Sequence, residues 1–173
     1  MTVNATTLLG LALPVTGTES GTWGDTVNNS LTDLVDTAVA GTTTLSSDGD
    51  VTLTTTTLAA NQARQAILLW TASGSVTRNI TAPAQSKPYI VINATGGSQS
   101  IVLRGAGPTT GITIAPAEKV VAAWNGSDFV KIASSLFSAA TGYGSGVTTF
   151  LATPSSANLA SAVTDETGTG ALV

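Results

Sequence analysis

The chain has 173 residues, of which only 9% are charged: six basic against ten acidic side chains, net charge −4, with no histidine and no cysteine. Ordinary soluble domains carry about 25% charged residues, so a chain this poor in charge, at a mean hydropathy of +0.32, suits a subunit packed against copies of itself or within a larger assembly. The missing residue types exclude an imidazole proton shuttle and a thiolate nucleophile, disulfide or sulfur metal ligand, and the scattered basic residues form no run to neutralise nucleic acid.

The first 14 residues are apolar but lack the basic flank of a secretory signal. They are too short to span a bilayer, so no membrane partner is expected. Thr22-Trp23-Gly24-Asp25 reads as a helix start, Thr22 capping and Asp25 completing a capping box. From there Trp23, Val27, Leu31, Leu34, Val35, Ala38 and Val39 recur at helical spacing and form one apolar stripe. Gly41 supplies a stop, and the spacing predicts a helix over about 23–40. Trp23 at its head suits an interface anchor, since tryptophan is enriched among binding hot spots.

From 42 to 134 the residues change to Thr, Val and Ile, with turn residues every 8–12 positions. Strands are predicted near 51–58, 66–72, 76–82, 88–93, 100–104, 112–114, 119–124 and 128–133. Asn125-Gly126, between two apolar runs, is a strong hairpin signal because both residues tolerate positive φ. This pattern predicts a mainly β protein, an antiparallel β-sandwich or small barrel of about 7–8 strands. An N-terminal amphipathic helix precedes it and an extended or short-helical C-terminal segment follows. In that last segment Thr153-Pro154 looks like a hydroxyl cap before a first-turn proline, Leu159 and Val163 stand one turn apart, and Gly168 closes the helix. So little apolar surface needs a neighbour, most simply its own copies around a symmetry axis.

Motifs with chemical potential read as architecture. Gly105-Ala106-Gly107-Pro108-Thr109-Thr110-Gly111 fails the dinucleotide spacing and runs into a strand, so it reads as a hairpin loop. Asp48-Gly49-Asp50 has carboxylates spaced for a hard cation, yet reads better as a turn because no further acidic residue lies near it. Asp165-Glu166 reads as a solvated helix end. No acidic pair is spaced for glycosidase chemistry, and no Gly-x-Ser-x-Gly elbow or triad histidine exists. No catalytic, cofactor-binding or metal residue is therefore assigned. Trp70 and Trp124 read as core packing. The Thr-rich run 51–58 reads equally as a solvated edge strand and as a strand pairing with a neighbouring subunit.

The segment Leu13–Asn28, with its Gly21-Thr22-Trp23-Gly24-Asp25 core, resembles the opening of virion structural and tail-fibre-like proteins of tailed bacteriophages. So do Gln62–Trp70, Asn79–Ala84, Ile90–Asn93 and the Trp124-Asn125-Gly126 hairpin, while Ala157–Val173 is similar to a segment repeated in phage fibres. The resemblance implies a non-enzymatic subunit on the surface of the virion. It implies a homotrimer whose partners are its own copies and other virion proteins of tail or capsid. Residues 1–41 would attach to the particle, 42–134 would form a β-domain, and 135–173 a stalk-like or partner-packing segment. Candidate interface residues are Trp23, Val27, Leu31, Leu34, Val35, Leu159 and Val163. Two other readings compete: a capsid head fibre or decoration (cement) protein, and a carbohydrate-binding module for host surface glycans.

Overall fold

The computed structural model describes residues 3–107, 110–135 and 146–163. The chain divides into two compact units, Met1–Ser135 and Leu136–Val173.

The first unit opens with an antiparallel pair, β1 (Val3–Ala5) and β2 (Ala12–Pro14). A continuous helix follows, made of α1 (Trp23–Val27), a π-helical turn (Asn28–Thr32) and α2 (Asp33–Ala40). It occupies the predicted span but starts differently. Thr22 makes no side-chain cap. Instead its hydroxyl and that of Thr26 donate to Glu19 Oε2, at 3.3 and 2.8 Å. The π turn bonds i to i+5 and so inserts an extra residue, which shifts the phase of everything after it by about 100°. The apolar stripe is split as a result: Leu34 is buried while Trp23, Val35 and Val39 are exposed. Gly41 ends the helix in an extended conformation. A Cβ there would lie 2.4 Å from the Thr37 carbonyl oxygen, so close approach demands the glycine.

Nine strands form the body: β3 (Thr42–Leu45), β4 (Val51–Thr52), β5 (Ile67–Trp70), β6 (Arg78–Ala82), β7 (Tyr89–Asn93), β8 (Ile101–Gly105), β9 (Ile112–Ile114), β10 (Lys119–Trp124) and β11 (Phe129–Ser134). They make a five-stranded sheet, ordered β11-β10-β7-β5-β3, and a four-stranded sheet, ordered β4-β6-β8-β9. From β3 to β8 the chain alternates between the two sheets, so strands within each run parallel. The register sets Ile67 beside Ile90 and Ile80 beside Leu103, each one coil and 23 residues on.

The fold is thus mainly β, with eleven strands among the described residues, but its sheets are mixed and neither closes into a barrel. The expected antiparallel pairing holds only for β1–β2, β8–β9, β7–β10 and β10–β11. The reason lies in the turns. Ser47–Asp50, Ser73–Ser75 and Thr95–Gly97 carry hairpin-like residues, yet each carries the chain from one sheet to the other. The Thr-rich run is also shorter than predicted. It leaves the sheet after Thr52 and turns where Thr54 N donates to Gln62 Oε1 (3.2 Å) and Gln62 N to Thr54 Oγ1 (3.0 Å).

Both sheets face one core. Leu68, Trp70, Tyr89, Val91, Val120 and Phe129 of the larger sheet meet Ile80, Ile101, Leu103 and Ile114 of the smaller. A polar chain threads one end: Trp70 Nε1 donates to Gln99 Oε1 (3.0 Å), and Gln99 Nε2 donates to Val76 O (2.8 Å) and Asp48 Oδ1 (2.7 Å). Arg78 Nε reaches the same Asp48 oxygen at 2.7 Å. Trp124 packs edge-on against Phe129, ring centroids 5.4 Å apart. Its ring lies where a Cβ on Gly105 would be 2.3 Å away, so that residue must be bare backbone.

The Asn125-Gly126 hairpin forms, but as a four-residue loop between the paired Trp124 and Phe129. Asn125 Oδ1 accepts from the amides of Ser127 and Asp128, both at 3.0 Å.

In the second unit α3 (Val147–Ala152) and α4 (Ser156–Ala162) bury no residue. The helix start expected at Thr153-Pro154 is shifted: Ser155 is the cap, its hydroxyl accepting from Asn158 N at 3.1 Å. Thr153 instead ends α3, an element the sequence did not predict. Gly168, Asp165 and Glu166 lie outside the described residues.

Candidate assembly surface

A strand facing core on one side and water on the other alternates apolar with polar residues. The larger sheet does not. Its outward residues stack in register as Thr42–Ile67–Ile90–Val121–Ala133 and as Thr44–Leu69–Ile92–Lys119. Lys119 is the one charge in these two columns. Ile90 is 43% exposed and Val121 36%. At the β11 edge, Val121 pairs with Ala133 and Ala122 with Lys131, leaving Ile132 as the extra residue of a bulge. The bulge turns Ile132 outward, where it is 65% exposed. Exposed apolar patches of this kind mark interaction surfaces.

A second apolar surface lies at the start of the helix. Trp23 is 61% exposed, and with Pro14, Val15, Thr16, Gly17, Glu19 and Ser20 it lines a cavity of about 370 Å³. Glu19 is buried there, and its Oε1 has no hydrogen-bond partner among the described residues. Of the candidate interface residues, Trp23 and Val35 are exposed, Val27 and Leu31 half-buried, and Leu34 buried inside the unit. Leu159 and Val163 belong to the second unit, the former exposed and the latter half-buried. The sheet face was missed from sequence, although Ile67-Leu68-Leu69-Trp70 and Tyr89-Ile90-Val91-Ile92, apolar at consecutive positions, carried its signal.

The carboxylates of the body are committed to donors. Burial works against Asp128 ionising, but amides including Gly111 (2.7 Å) and Phe129 (2.8 Å) outweigh it and hold its pKa down. The glycine loop therefore does cradle an anion, one supplied by the chain itself. Burial likewise opposes ionisation of Glu118, and Lys131 (2.8 Å), Ser134 (2.5 Å) and Ala115 (2.7 Å) lower its pKa nonetheless. Asp48 is lowered by hydrogen bonds from Arg78 and Gln99, and Asp50 by those from the Asn79 amide and side chain. The Asp48-Gly49-Asp50 turn thus spends its carboxylates internally. Among the described residues no acidic cluster is grouped to hold a metal ion, and no helix is long and apolar enough to cross a membrane. Trp70 is fully buried and Trp124 half-buried, so both pack the core.

Comparison with protein-family models, curated proteins and solved structures gives no match.

Proposed function

We propose that the chain is a non-enzymatic structural subunit of a tailed-phage virion, a tail fibre or fibre adaptor that trimerises and attaches through its N-terminal segment. The observation that carries this reading is the uncharged outward column of the larger sheet, Ile67–Ile90–Val121, with Ile132 aimed out beside it. Copies of the chain cover that face. The exposed Trp23 supplies a second surface for the particle. The low charge and the resemblance of Leu13–Asn28 to phage fibre openings point the same way. Obligate interfaces bury about 2,000 Å² or more, which at about 25 cal/mol per Å² gives a gross gain of tens of kcal/mol before association costs.

Mass spectrometry of purified particles tests the assignment. A few copies per tail support it, one copy per capsid lattice point favours the decoration protein, and absence from the particle overturns both. A Trp23→Ala, Val39→Ser protein that folds but is incorporated normally would count against the attachment role.

A further inference from the structure

Asn125-Gly126 is the only Asn-Gly step in the chain, and it forms the tip of the β10–β11 hairpin with both residues exposed. The loop is organised around one atom. Asn125 Oδ1 accepts hydrogen bonds from Ser127 N (3.0 Å), Ser127 Oγ (3.1 Å) and Asp128 N (3.0 Å). Asn125 N in turn donates to Asp128 O at 3.0 Å, closing the loop over the Trp124–Phe129 pair. The other end of the same side-chain amide is loose: among the described residues no hydrogen bond holds Asn125 Nδ2 or the Gly126 N–H. Asn61, Asn79, Asn93 and Asn158 differ, each donating from Nδ2 to a carbonyl or carboxylate oxygen of the chain.

Three donors on an amide oxygen draw electrons from its carbon, and they already stand where negative charge develops when a nucleophile adds to that carbon. A nucleophile is built in. The Gly126 backbone nitrogen directly follows Asn125, and its attack on Cγ closes a five-membered ring. Gly126 holds φ at +105°, and a Cβ there would meet nothing within 4 Å, so the ring and an incoming water both have room. We propose that Asn125-Gly126 is a self-modifying site, converting to aspartate and isoaspartate through a cyclic imide. Hydroxide takes the Gly126 amide proton as the nitrogen bonds to Cγ. The Cγ–Nδ2 bond then breaks, and Nδ2 leaves as ammonia with a proton from water, which restores the hydroxide. Water opens the ring at either carbonyl, and the proton of the new carboxyl group passes to the ammonia. One water is consumed and one ammonium ion released, with no oxidation or reduction. The carboxylate of the aspartate product accepts the same hydrogen bonds, now charge-assisted, so that product keeps the loop. The isoaspartate product lengthens the main chain between Trp124 and Phe129. Either way a neutral hairpin tip becomes anionic in a chain poor in charge.

The test is incubation of the full chain at mildly alkaline pH, followed by peptide mapping. Mass spectrometry reads the replacement of –NH2 by oxygen, and chromatography separates the aspartate and isoaspartate peptides. Asn125 is expected to convert faster than every other asparagine. Its rate in the folded chain should at least equal that in guanidinium chloride, where the loop donors are lost. Ser127→Ala deletes one donor to Oδ1 from an exposed residue. It should slow the folded chain about two- to tenfold, the worth of one neutral hydrogen bond, and change nothing in guanidinium. Asn125 outlasting another asparagine of the folded chain, or converting more slowly there than in guanidinium, overturns the proposal. So does a folded Ser127→Ala protein that converts at the native rate. If Ser127→Ala does not fold, the comparison of folded with unfolded native chain decides the matter.

Discussion

Placing two carboxylates on the outward sheet face, as Ile90→Glu with Ile132→Glu, is expected to separate the subunits without unfolding them. Full burial of an isoleucine is worth about 1.5–3 kcal/mol. The fractions still exposed, 43% at Ile90 and 65% at Ile132, leave about 2–3 kcal/mol per subunit for an interface to gain. Across a trimer that is about 5–10 kcal/mol, before the added cost of desolvating the new charges. The concentration at half-assembly should therefore rise at least about a hundredfold. The monomer loses little, since both side chains already face solvent and surface strand substitutions cost about 1 kcal/mol or less. Sedimentation equilibrium from nanomolar to micromolar protein reads the effect, with urea unfolding followed by tryptophan fluorescence as the check on folding. Val76→Glu, on an exposed residue in the turn before β6, serves as the control and should change nothing. A doubly substituted protein that is folded and keeps the native mass at every concentration refutes the interface.

Three further outcomes follow from the packing. Leu34→Ala should cost about 2–4 kcal/mol, and because Leu34 is not a member of the cluster that fills the β-body the loss should be local. Hydrogen exchange should quicken over 23–40 while 89–93 and 101–105 stay protected; uniform loss would contradict this. Gln99→Leu strands the Trp70 indole N–H and the Val76 carbonyl, each worth about 1–3 kcal/mol when buried without a partner. Urea unfolding should show about 3–5 kcal/mol lost, and a loss below about 1 kcal/mol would remove the network from the account. Lys87 titrates near 8 because burial, and then the Arg64 charge, disfavour its ammonium form. Its folded pKa lies below the unfolded value of 10.5, so between about 8 and 10 the unfolded chain binds more protons and stability rises with pH. Solvent screening of this partly exposed group reduces the gain to about 1 kcal/mol. Tyr89, pushed up to about 12 by burial, favours its protonated form when folded and opposes the trend only above pH 10. Unfolding midpoints at pH 7.5 and 10 should differ in the native chain and not in Lys87→Met; a flat native profile would be the contrary result.

The eight predicted strands of the body were legible because β-branched runs bounded by Gly, Ser and Asn need no tertiary information. Their partners were not. Ser73-Gly74-Ser75 has the same turn chemistry whether it closes a hairpin or rounds a corner between sheets, and only the packing of Ile80 against Leu103 and Val91 beside Leu68 chooses the corner. Thr42–Leu45 went unseen because three consecutive threonines look like loop. In the fold Thr43 is buried and its hydroxyl donates to Gln62 O at 3.0 Å. The helix was legible from its stripe, but the π turn at Asn28–Thr32 that turns Trp23 and Val39 away from Leu34 leaves no mark on apolar spacing. Arg64 looked like one isolated base among six. Its burial is made by residues up to 55 positions away in sequence, which no local pattern encodes.

The proposed assembly requires copies of the same chain to cover the outward face of the five-stranded sheet. Native mass spectrometry of the unmodified protein at micromolar concentration reads this directly. Three copies per particle, falling apart when Ile90 and Ile132 carry charge, is the predicted result. A monodisperse single copy that stays soluble with that face bare would contradict it.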